Sequence, residues 1–367
     1  MDMQLNETQE MLRASAREFL AESCPTKKVR EMRALPEGFS RDLWREMGGL
    51  GWLGLALPES AGGSDMPFLD LCLLIEELGR ACLPSPFVEA VAGAAMLLAE
   101  ARGHNNVLRK VATGEAIVVP ALDGAMDDDG YRQLPEVRRG EGDVVLNGSH
   151  MFVPFATSAS HVLCLARSAD PTEGAFLLLV PTSAHGVEVR PLHSWRDERP
   201  CHVTLADVSL AEDAIVACGD EAEELVRRAL ERMDIARCCD VVGALSWVME
   251  DTVSYAKDRK QFGQPIGSFQ VLQHYCADMH VMLEGLKMGV AHAAWRLSEG
   301  LDASHDVAVA CAYAHMVIPK YLGIAHQIHG AMGVTIEHDL QLYSTHAFAP
   351  ARRVAAQSEY LEAALTL

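Results

Sequence analysis

The segment from residue 259 to residue 270 interrupts a helical pattern that otherwise runs from Asp220 almost to the C-terminus. It reads Arg-Lys-Gln-Phe-Gly-Gln-Pro-Ile-Gly-Ser-Phe-Gln, and apolar residues recur at helical spacing on both sides of it. Because glycine and proline end regular helices, this stretch predicts a short elbow between two long helices. The elbow is cationic and aromatic, which favours a role in holding an anionic cofactor.

Helical periodicity also dominates the first 115 residues. Prolines at positions 84 and 86 separate the last two of four predicted helices, which cover residues 4–24, 39–48, 69–79 and 86–102. After residue 220, buried-face spacing predicts a long helix before the elbow, one after Ser268 and another over residues 304–329. Pro319 lies inside the last of these and predicts a kink.

The middle of the chain has a different character. Residues 116–216 are rich in Val, Leu and turn residues, and short strands are predicted at 144–149, 161–165, 175–180 and 202–208. The charge-rich stretch 123–141 is predicted to be a loop or a mobile edge. The chain is therefore predicted to run α, then β, then α, with domains at 1–115, 116–218 and 219–367.

Charge and composition exclude some classes of protein. With 31 basic and 51 acidic residues, the formal net charge is -20, which argues against a general nucleic-acid binder. No apolar run is long enough to predict a membrane span, and the N-terminus lacks the pattern of a signal peptide. Ten scattered cysteines without a disulfide framework favour a reducing cytoplasm.

Several motifs occur in order along almost the whole chain. They are Leu50–Glu59 followed by a glycine pair, the Glu-Glu-Leu-Gly-Arg run that begins at Glu76, and the elbow with the preceding Tyr-Ala-Lys-Asp. In this order and spacing the sequence resembles the acyl-CoA dehydrogenase family. The resemblance implies an α+β multidomain fold: an N-terminal helical domain, a central β-barrel or sandwich, and a C-terminal four-helix bundle that forms the core of an oligomer.

The resemblance also implies an FAD site. In the family the elbow reaches FAD bound by a neighbouring subunit, and a second segment, Gln-Ile-His-Gly-Ala-Met-Gly from Gln327, brings its backbone close to the FAD pyrophosphate. Small residues permit that approach, although Ala331 replaces the usual second glycine. The cofactor residues expected by position are Arg259, Gln261, Phe262, Ile266, Gln270, Gln327, Gly330 and Ala331. Each segment also has a purely structural interpretation. The cations of the elbow would stabilise the C-terminus of the preceding helix through its dipole, and the glycines of the second segment would cap the end of a helix.

The family's catalytic base is harder to place. The reaction removes an α-proton of an acyl-CoA with a carboxylate while FAD accepts hydride from the β-carbon. Where most relatives carry the glutamate, residues 348–354 hold no carboxylate, and the alternative position is Met233. Asp240, seven residues later on the same helix face, is the remaining candidate, ahead of Glu231 and Asp234. The competing interpretation is that Asp240 has no catalytic role and is either paired with a group on a neighbouring helix or exposed at a helix edge.

Two functional hypotheses follow. The chain is expected either to dehydrogenate an acyl-CoA thioester, including bulky steroid side chains, or to complete the FAD site of a catalytic partner without catalysing the reaction. An oxidase or monooxygenase on the same fold is a third possibility. Expected partners are an electron-transfer flavoprotein or similar acceptor and other subunits of a homo- or hetero-tetramer. His326 and His329 resemble a metal pair, but no third ligand is evident, so no metal is expected.

Overall fold

The computed structural model describes residues 4–101, 103–122, 133–140, 142–170, 172–194 and 199–353, with side chains as far as residue 348. The chain divides into two compact units, each built from separate stretches of sequence. Unit 1 comprises Met1–Glu31, Pro67–Leu83 and Asp234–Leu367, and unit 2 comprises Met32–Met66 and Pro84–Met233. The three-domain division at residues 115 and 218 stays a prediction.

Ten α-helices lie in the described ranges. In chain order they are α1 (Glu7–Ser23), α2 (Thr26–Ala34), α3 (Arg41–Gly49), α4 (Phe68–Arg80), α5 (Met96–Ala101), α6 (Asn105–Ala112), α7 (Asp220–Asp258), α8 (Gln270–Ser298), α9 (Ser304–His329) and α10 (Leu340–Arg353). The predicted elbow therefore lies between α7 and α8. Helix α9 continues through Pro319.

Local sequence explains where α1 begins. The Asn6 side chain accepts the Gln9 amide at 2.9 Å, and the Gln9 side chain accepts the Asn6 amide at 3.1 Å. This capping box satisfies two backbone donors that a helix start leaves unpaired. Arg17 on the same helix forms a bidentate pair with the buried Glu77 of α4, at 2.6 and 2.8 Å. The pair therefore fixes α1 against α4 within unit 1.

Unit 2 contains an eight-stranded sheet. Its strands are β1 (Val118–Ala121), β2 (Glu136–Arg139), β3 (Asp143–Pro154), β4 (His161–Ser168), β5 (Ala175–Pro181), β6 (Val187–Pro191), β7 (Pro200–Ala211) and β8 (Ile215–Cys218). The order across the sheet is β6-β7-β3-β2-β4-β5-β8, and β1 pairs in parallel with β4.

The loop expected at residues 123–141 is corrected in part. Residues Glu136–Arg139 form β2, which is antiparallel to β3 and parallel to β4. Val137 is buried, and β2 joins the two halves of the sheet. Charged residues occupy β2 because Arg138 and Arg167 both pair with Glu136. Residues 123–132 and 141 of the expected loop lie outside the described residues.

The helix expected over residues 86–102 has two parts. Residues Val88–Ala95 form a π-helix, and α5 continues from Met96. π-Helical turns are rare and occur often at functional sites. Ala94, Ala95 and Leu97 of this segment are fully buried in the core of unit 2, together with Leu163 and Leu177 of the sheet.

Two further sequence expectations bear on localisation. By length and apolar composition alone, the helical segment Ser304–Val334 is capable of crossing a membrane, but 56% of its most apolar window is buried inside the protein. That burial is typical of a core helix, so the segment is weak evidence for a span. None of the ten cysteines, all of which lie in the described ranges, forms a disulfide, and Cys218 is exposed.

Candidate functional site

The elbow between α7 and α8 is a tight β-hairpin. Strands β9 (Lys260–Gln261) and β10 (Gln264–Pro265) pair antiparallel, with Gln261 opposite Gln264. Phe262 and Gly263 form the loop, and both have positive φ angles, 53° and 82°. This is the turn geometry that two-residue hairpins favour, but it normally selects Asn or Gly rather than Phe at the first position. A phenylalanine is therefore held at the tip in a strained backbone conformation.

The hairpin has a buried side and an exposed side. Ile266 is 8% exposed, so its buried side chain anchors the elbow. Its amide donates to the Arg259 carbonyl at 2.8 Å, which closes the base of the hairpin. Phe262 is 92% exposed and makes an edge contact with Phe269, with ring centroids 6.1 Å apart. The other exposed residues of the predicted site here are Arg259, Gln261 and Gln270. The structure therefore separates Ile266, an anchor, from the side chains that a ligand would reach.

The second predicted cofactor segment is the turn that ends α9. Gln327 is exposed, and Gly330 has φ 60° and ψ −143°, a conformation that glycine adopts without a Cβ penalty. A Cβ built on Gly330 would have no neighbour within 4 Å, so the backbone of this turn faces open space. Ala331 follows as an exposed residue of a short 3₁₀ helix.

Tyr255 connects the two predicted cofactor segments. Its ring stacks on His329 with centroids 4.4 Å apart, and its hydroxyl donates to the His329 carbonyl at 3.4 Å. The Tyr255 carbonyl accepts the amide of Arg259 at 2.9 Å, while His329 directly precedes Gly330. The structure therefore brings the elbow and the glycine turn to one region of unit 1.

The candidate base Asp240 lies elsewhere on α7. Its Oδ2 is 2.7 Å from Nε2 of His346 on α10, and the two side chains are 14% and 10% exposed. Asp240 precedes Arg259 by 19 residues, which is about 28 Å along a helix. Asp240 is thus a mostly buried carboxylate already paired with an imidazole. Sequence reasoning missed His346 because 106 positions separate the two residues.

The two lower-ranked carboxylates are also paired. Asp234 contacts Arg237 at 2.9 Å, and both side chains are buried. Glu231 contacts Arg227 at 2.6 Å, one helical turn earlier. Each carboxylate is therefore neutralised by a neighbour on its own helix.

The histidines group differently from the predicted pair. His326 Nε2 lies 2.8 Å from the Ser344 hydroxyl, and burial, followed by the proximity of His329 and His338, lowers the pKa of His326. His329 instead approaches His338 and Asp251, whose ligand atoms all lie within 4.8 Å of one another. Asp251 was not identified from the sequence, although its spacing of four from Tyr255 places both residues on one face of α7.

Unit 2 presents an exposed aromatic at the end of β3. The β3–β7 pairing shifts register between His150 and Val153, and Phe152 at this bulge has φ 59° and is 57% exposed. Bulges re-aim side chains and are frequent beside active sites. Pro154 follows, and it supplies no backbone donor.

Comparison with known proteins identifies the family of the chain. Residues 6–115 match the N-terminal domain, and residues 224–354 match the C-terminal domain, of acyl-CoA dehydrogenase. The chain belongs to the acyl-CoA dehydrogenase family. The family resemblance and the predicted fold class are thereby confirmed.

Three similar proteins are informative. The chain is 30% identical to acyl-CoA dehydrogenase FadE34 of Mycobacterium tuberculosis over 92% of its own length, but it spans only 44% of that protein. It superposes on a chain of the Mycobacterium tuberculosis ChsE4–ChsE5 complex with a TM-score of 0.88 and 26% identity, covering 99% of this chain and 97% of that one. It also superposes on a steroid ACAD variant, Tcur3481–Tcur3483, with a TM-score of 0.86 and 26% identity, covering 98% of this chain and 96% of that one.

Acyl-CoA dehydrogenases are oxidoreductases that act on CH–CH groups, and FAD is the cofactor of the family. The residues of unit 1 fit that group. Arg259 forms no ion pair within the described ranges, so its guanidinium is available to an anion. The open backbone at Gly330 leaves room for close approach of a phosphate.

Proposed function

We propose that this chain is one subunit of an oligomeric, FAD-dependent acyl-CoA dehydrogenase. The observation that carries the proposal is the hairpin tip at Phe262, which is 92% exposed beside the exposed Arg259. Phe262 also holds a positive φ angle of 53°, and backbone strain of this kind is typical of positions that contact a ligand or a partner. The family resemblance supplies that ligand, an FAD held by an adjoining subunit.

In this proposal the two segments of unit 1 hold the FAD diphosphate. Arg259 would contact phosphate oxygens through its guanidinium donors, with Gln261 and Gln270 as polar contacts and Phe262 as an apolar cover. The turn residues Gln327, Gly330 and Ala331 would approach with their backbone, and Ile266 would hold the elbow in place. When bound, FAD supplies the two-electron acceptor that no amino-acid side chain provides.

Asp240 is the proposed base for the α-proton in this chain. Its Oδ2 is engaged by His346, so a proton that Asp240 accepted would be shared with an imidazole 2.7 Å away. In this proposal the imidazole fixes the orientation of the carboxylate that takes the α-proton. The active chain would then depend on both residues.

The same contact supports a second candidate function. Because Asp240 is paired and residues 348–354 contain no carboxylate, this subunit would complete the FAD site while a different subunit provides the base. The structural similarity to a chain of the ChsE4–ChsE5 complex supports a hetero-oligomer. Similarity to a steroid ACAD supports a bulky acyl-CoA substrate such as a steroid side chain. An electron-transfer flavoprotein or similar acceptor would reoxidise the flavin, and a cytoplasmic location remains the expectation.

The deciding experiment measures FAD per assembly by native mass spectrometry, for the chain alone and with the product of a neighbouring gene. The flavin absorbance at about 450 nm is then recorded while a steroid side-chain acyl-CoA or butyryl-CoA is added. Bleaching that is lost in Asp240→Asn but kept in the exposed control Asp278→Asn supports catalysis here, since a carboxamide takes no proton. Bleaching that needs the partner and survives Asp240→Asn supports the site-completing role. Absence of FAD from every assembly would refute both.

A further inference from the structure

A cavity of about 240 Å³ lies within unit 1, among α1, α4, α7 and α10. The turn between α1 and α2 completes its lining, which includes, among the described residues, none of those proposed above for FAD or as the base. An engineered cavity of about 150 Å³ in another protein is large enough to hold benzene. The space therefore suits a ligand whose body is about the size of one six-membered ring.

Part of the cavity lining is apolar and aromatic. The Trp247 ring of α7 stacks on the Tyr343 ring of α10, with centroids 3.8 Å apart and planes at 2° to each other. The Tyr343 hydroxyl donates to the Arg80 carbonyl at 2.8 Å, which fixes the pair of rings against α4. Leu20 and Ala21 of α1 also line the cavity. This lining favours a ligand with an apolar body over a fully hydrated ion.

The charged part of the lining carries more positive than negative charge. Arg17 and Arg80 both line the cavity, and Glu77 is the lining carboxylate. Glu77 accepts two hydrogen bonds from Arg17, at 2.6 and 2.8 Å, so its charge is already neutralised. Arg80 pairs with Glu250, which does not line the cavity and whose side chain is 64% exposed, so solvent screens that carboxylate. The ion pairs hold both guanidinium groups in place, and the excess charge favours an anion.

Four hydrogen-bond donors of the lining residues have no partner among the residues that the structure describes. Two of them are Arg17 Nη1 and Arg80 Nε, because the ion pairs use Nε and Nη2 of Arg17 and both Nη atoms of Arg80. The others are the indole N–H of Trp247 and the hydroxyl of Thr26. A ligand that presents oxygen acceptors, above all a carboxylate, would satisfy such donors.

We propose that this cavity binds a small organic carboxylate with an apolar body of about the size of one ring. The carboxylate would accept hydrogen bonds from the guanidinium groups and the Trp247 indole, while the body would lie against Leu20, Ala21 and the aromatic pair. The ligand would contact α1, α4, α7 and α10 together, so its binding would stabilise unit 1. The site is independent of the proposed function, because its lining and the proposed FAD segments share no residue.

The test titrates the purified protein with sodium benzoate by isothermal titration calorimetry, with benzamide as a neutral analogue of the same shape. Benzoate is expected to bind one site per chain with a dissociation constant of about 1 mM or lower. Benzamide should bind at least about tenfold more weakly, because it offers the guanidinium groups no charge. Phenylacetate and isobutyrate extend the range of body sizes. Failure of all three carboxylates to bind would overturn the inference, and so would equal affinities for benzoate and benzamide.

Two variants test whether the carboxylate lies in the cavity. Ala21→Trp adds a large side chain at an exposed lining position of α1, so it should abolish binding while the protein stays folded. Ala14→Trp is the matched control, since Ala14 is exposed seven residues earlier on α1, does not line the cavity and should leave affinity unchanged. Trp247→Phe keeps a ring against Tyr343 but removes the indole donor, so affinity should fall about fivefold. Binding that survives Ala21→Trp would place the carboxylate elsewhere and overturn the inference.

The thermal unfolding midpoint gives a readout that needs no flavin. Benzoate at about 10 mM should raise the midpoint of the wild type and of Ala14→Trp, and it should leave that of Ala21→Trp unchanged. If Ala21→Trp fails to fold, the fivefold loss in Trp247→Phe and the preference for benzoate over benzamide still decide the matter. Protein that binds benzoate but no FAD would support this inference and refute the proposed function, whereas protein that binds FAD but no carboxylate would do the reverse.

Discussion

The backbone of Gly243 on α7 lies against the Glu76 carbonyl of α4, so closely that a Cβ on Gly243 would be 1.8 Å from that oxygen. One helical turn away, a Cβ on Gly79 would lie 1.9 Å from the Asp240 carbonyl. Two glycines, one on each helix, therefore bring α4 and α7 into backbone contact. This contact fixes the segment of α7 that carries Asp240.

Gly243→Ala is therefore expected to destabilise the protein by about 1–3 kcal/mol, because the added methyl meets backbone atoms that cannot rotate away. Gly289→Ala on α8 is the matched control, since a Cβ there has no neighbour within 4 Å. At that position alanine should be neutral, or stabilising by up to about 1 kcal/mol through helix propensity. Urea unfolding of both variants measures the difference. Equal stabilities would contradict the close helix contact.

The sequence predicted the parts of the fold that depend on local pattern. Helical periodicity located α4 and α9 to within a few residues and predicted the start of α8, and the breakers after Asp258 located the elbow. It did not predict the π-helix at Val88–Ala95, because its apolar residues suit either helical period. It also gave the stretch that contains β2 as a loop or a mobile edge, because Glu136 of β2 is neutralised by an ion pair with Arg167 of β4 that no local pattern reveals.

In the candidate site, too, contiguous motifs could be predicted from the sequence and contacts between distant residues could not. The elbow and the glycine turn could be predicted as cofactor segments because each is a contiguous motif on which the family resemblance rests. The pairs Asp240–His346 and Asp251–His329 join residues far apart in sequence, and single-chain spacing carries no information on such contacts. Ile266 was assigned to the cofactor, but its burial at the base of the hairpin gives it an anchoring position.

Arg259→Ala should weaken FAD binding by about 10- to 100-fold, the usual loss when a charged hydrogen bond to an anion is removed. Arg259 is exposed and pairs with no described carboxylate, so the unfolding midpoint should change little. Lys257→Ala, exposed two residues earlier, is the control for a general loss of positive charge. The measurement is a fluorescence titration of the apoprotein with FAD. Equal losses of FAD affinity in the two variants would show that Arg259 contributes only nonspecific electrostatic attraction.

Phe262→Ala tests whether the hairpin tip is covered in the assembly. Phe262 is 92% exposed in the single chain, so its loss should change the stability of that chain by less than about 0.5 kcal/mol. If FAD and a second subunit bury the ring, the same change should weaken cofactor retention about tenfold or more. Light scattering after size exclusion, with flavin absorbance recorded in parallel, measures both quantities. Full retention of FAD and assembly would show that the tip remains in solvent.

The effect of Glu76→Gln on the free energy of unfolding is expected to depend on pH. Burial, opposed by Lys287 and reinforced by Glu77, raises the pKa of the Glu76 carboxyl above its ordinary value of 4.5. Because the folded state then holds this proton more tightly than the unfolded state, ionising Glu76 costs stability. That cost is absent below the unfolded value, grows as pH rises through the window above it, and is complete once the folded group is ionised.

Glu76→Gln is therefore expected to be more stable than the wild type at about pH 7, and the advantage should shrink toward zero near about pH 4. Comparison within each pH removes the effect of other carboxyl groups that titrate in the same range. Glu22→Gln, an exposed change on α1, should stay within about 0.5 kcal/mol of the wild type at both values. Unfolding in urea at each pH measures the difference. A less stable Gln variant at neutral pH would mean that Lys287 and the nearby arginines outweigh the burial of this carboxylate.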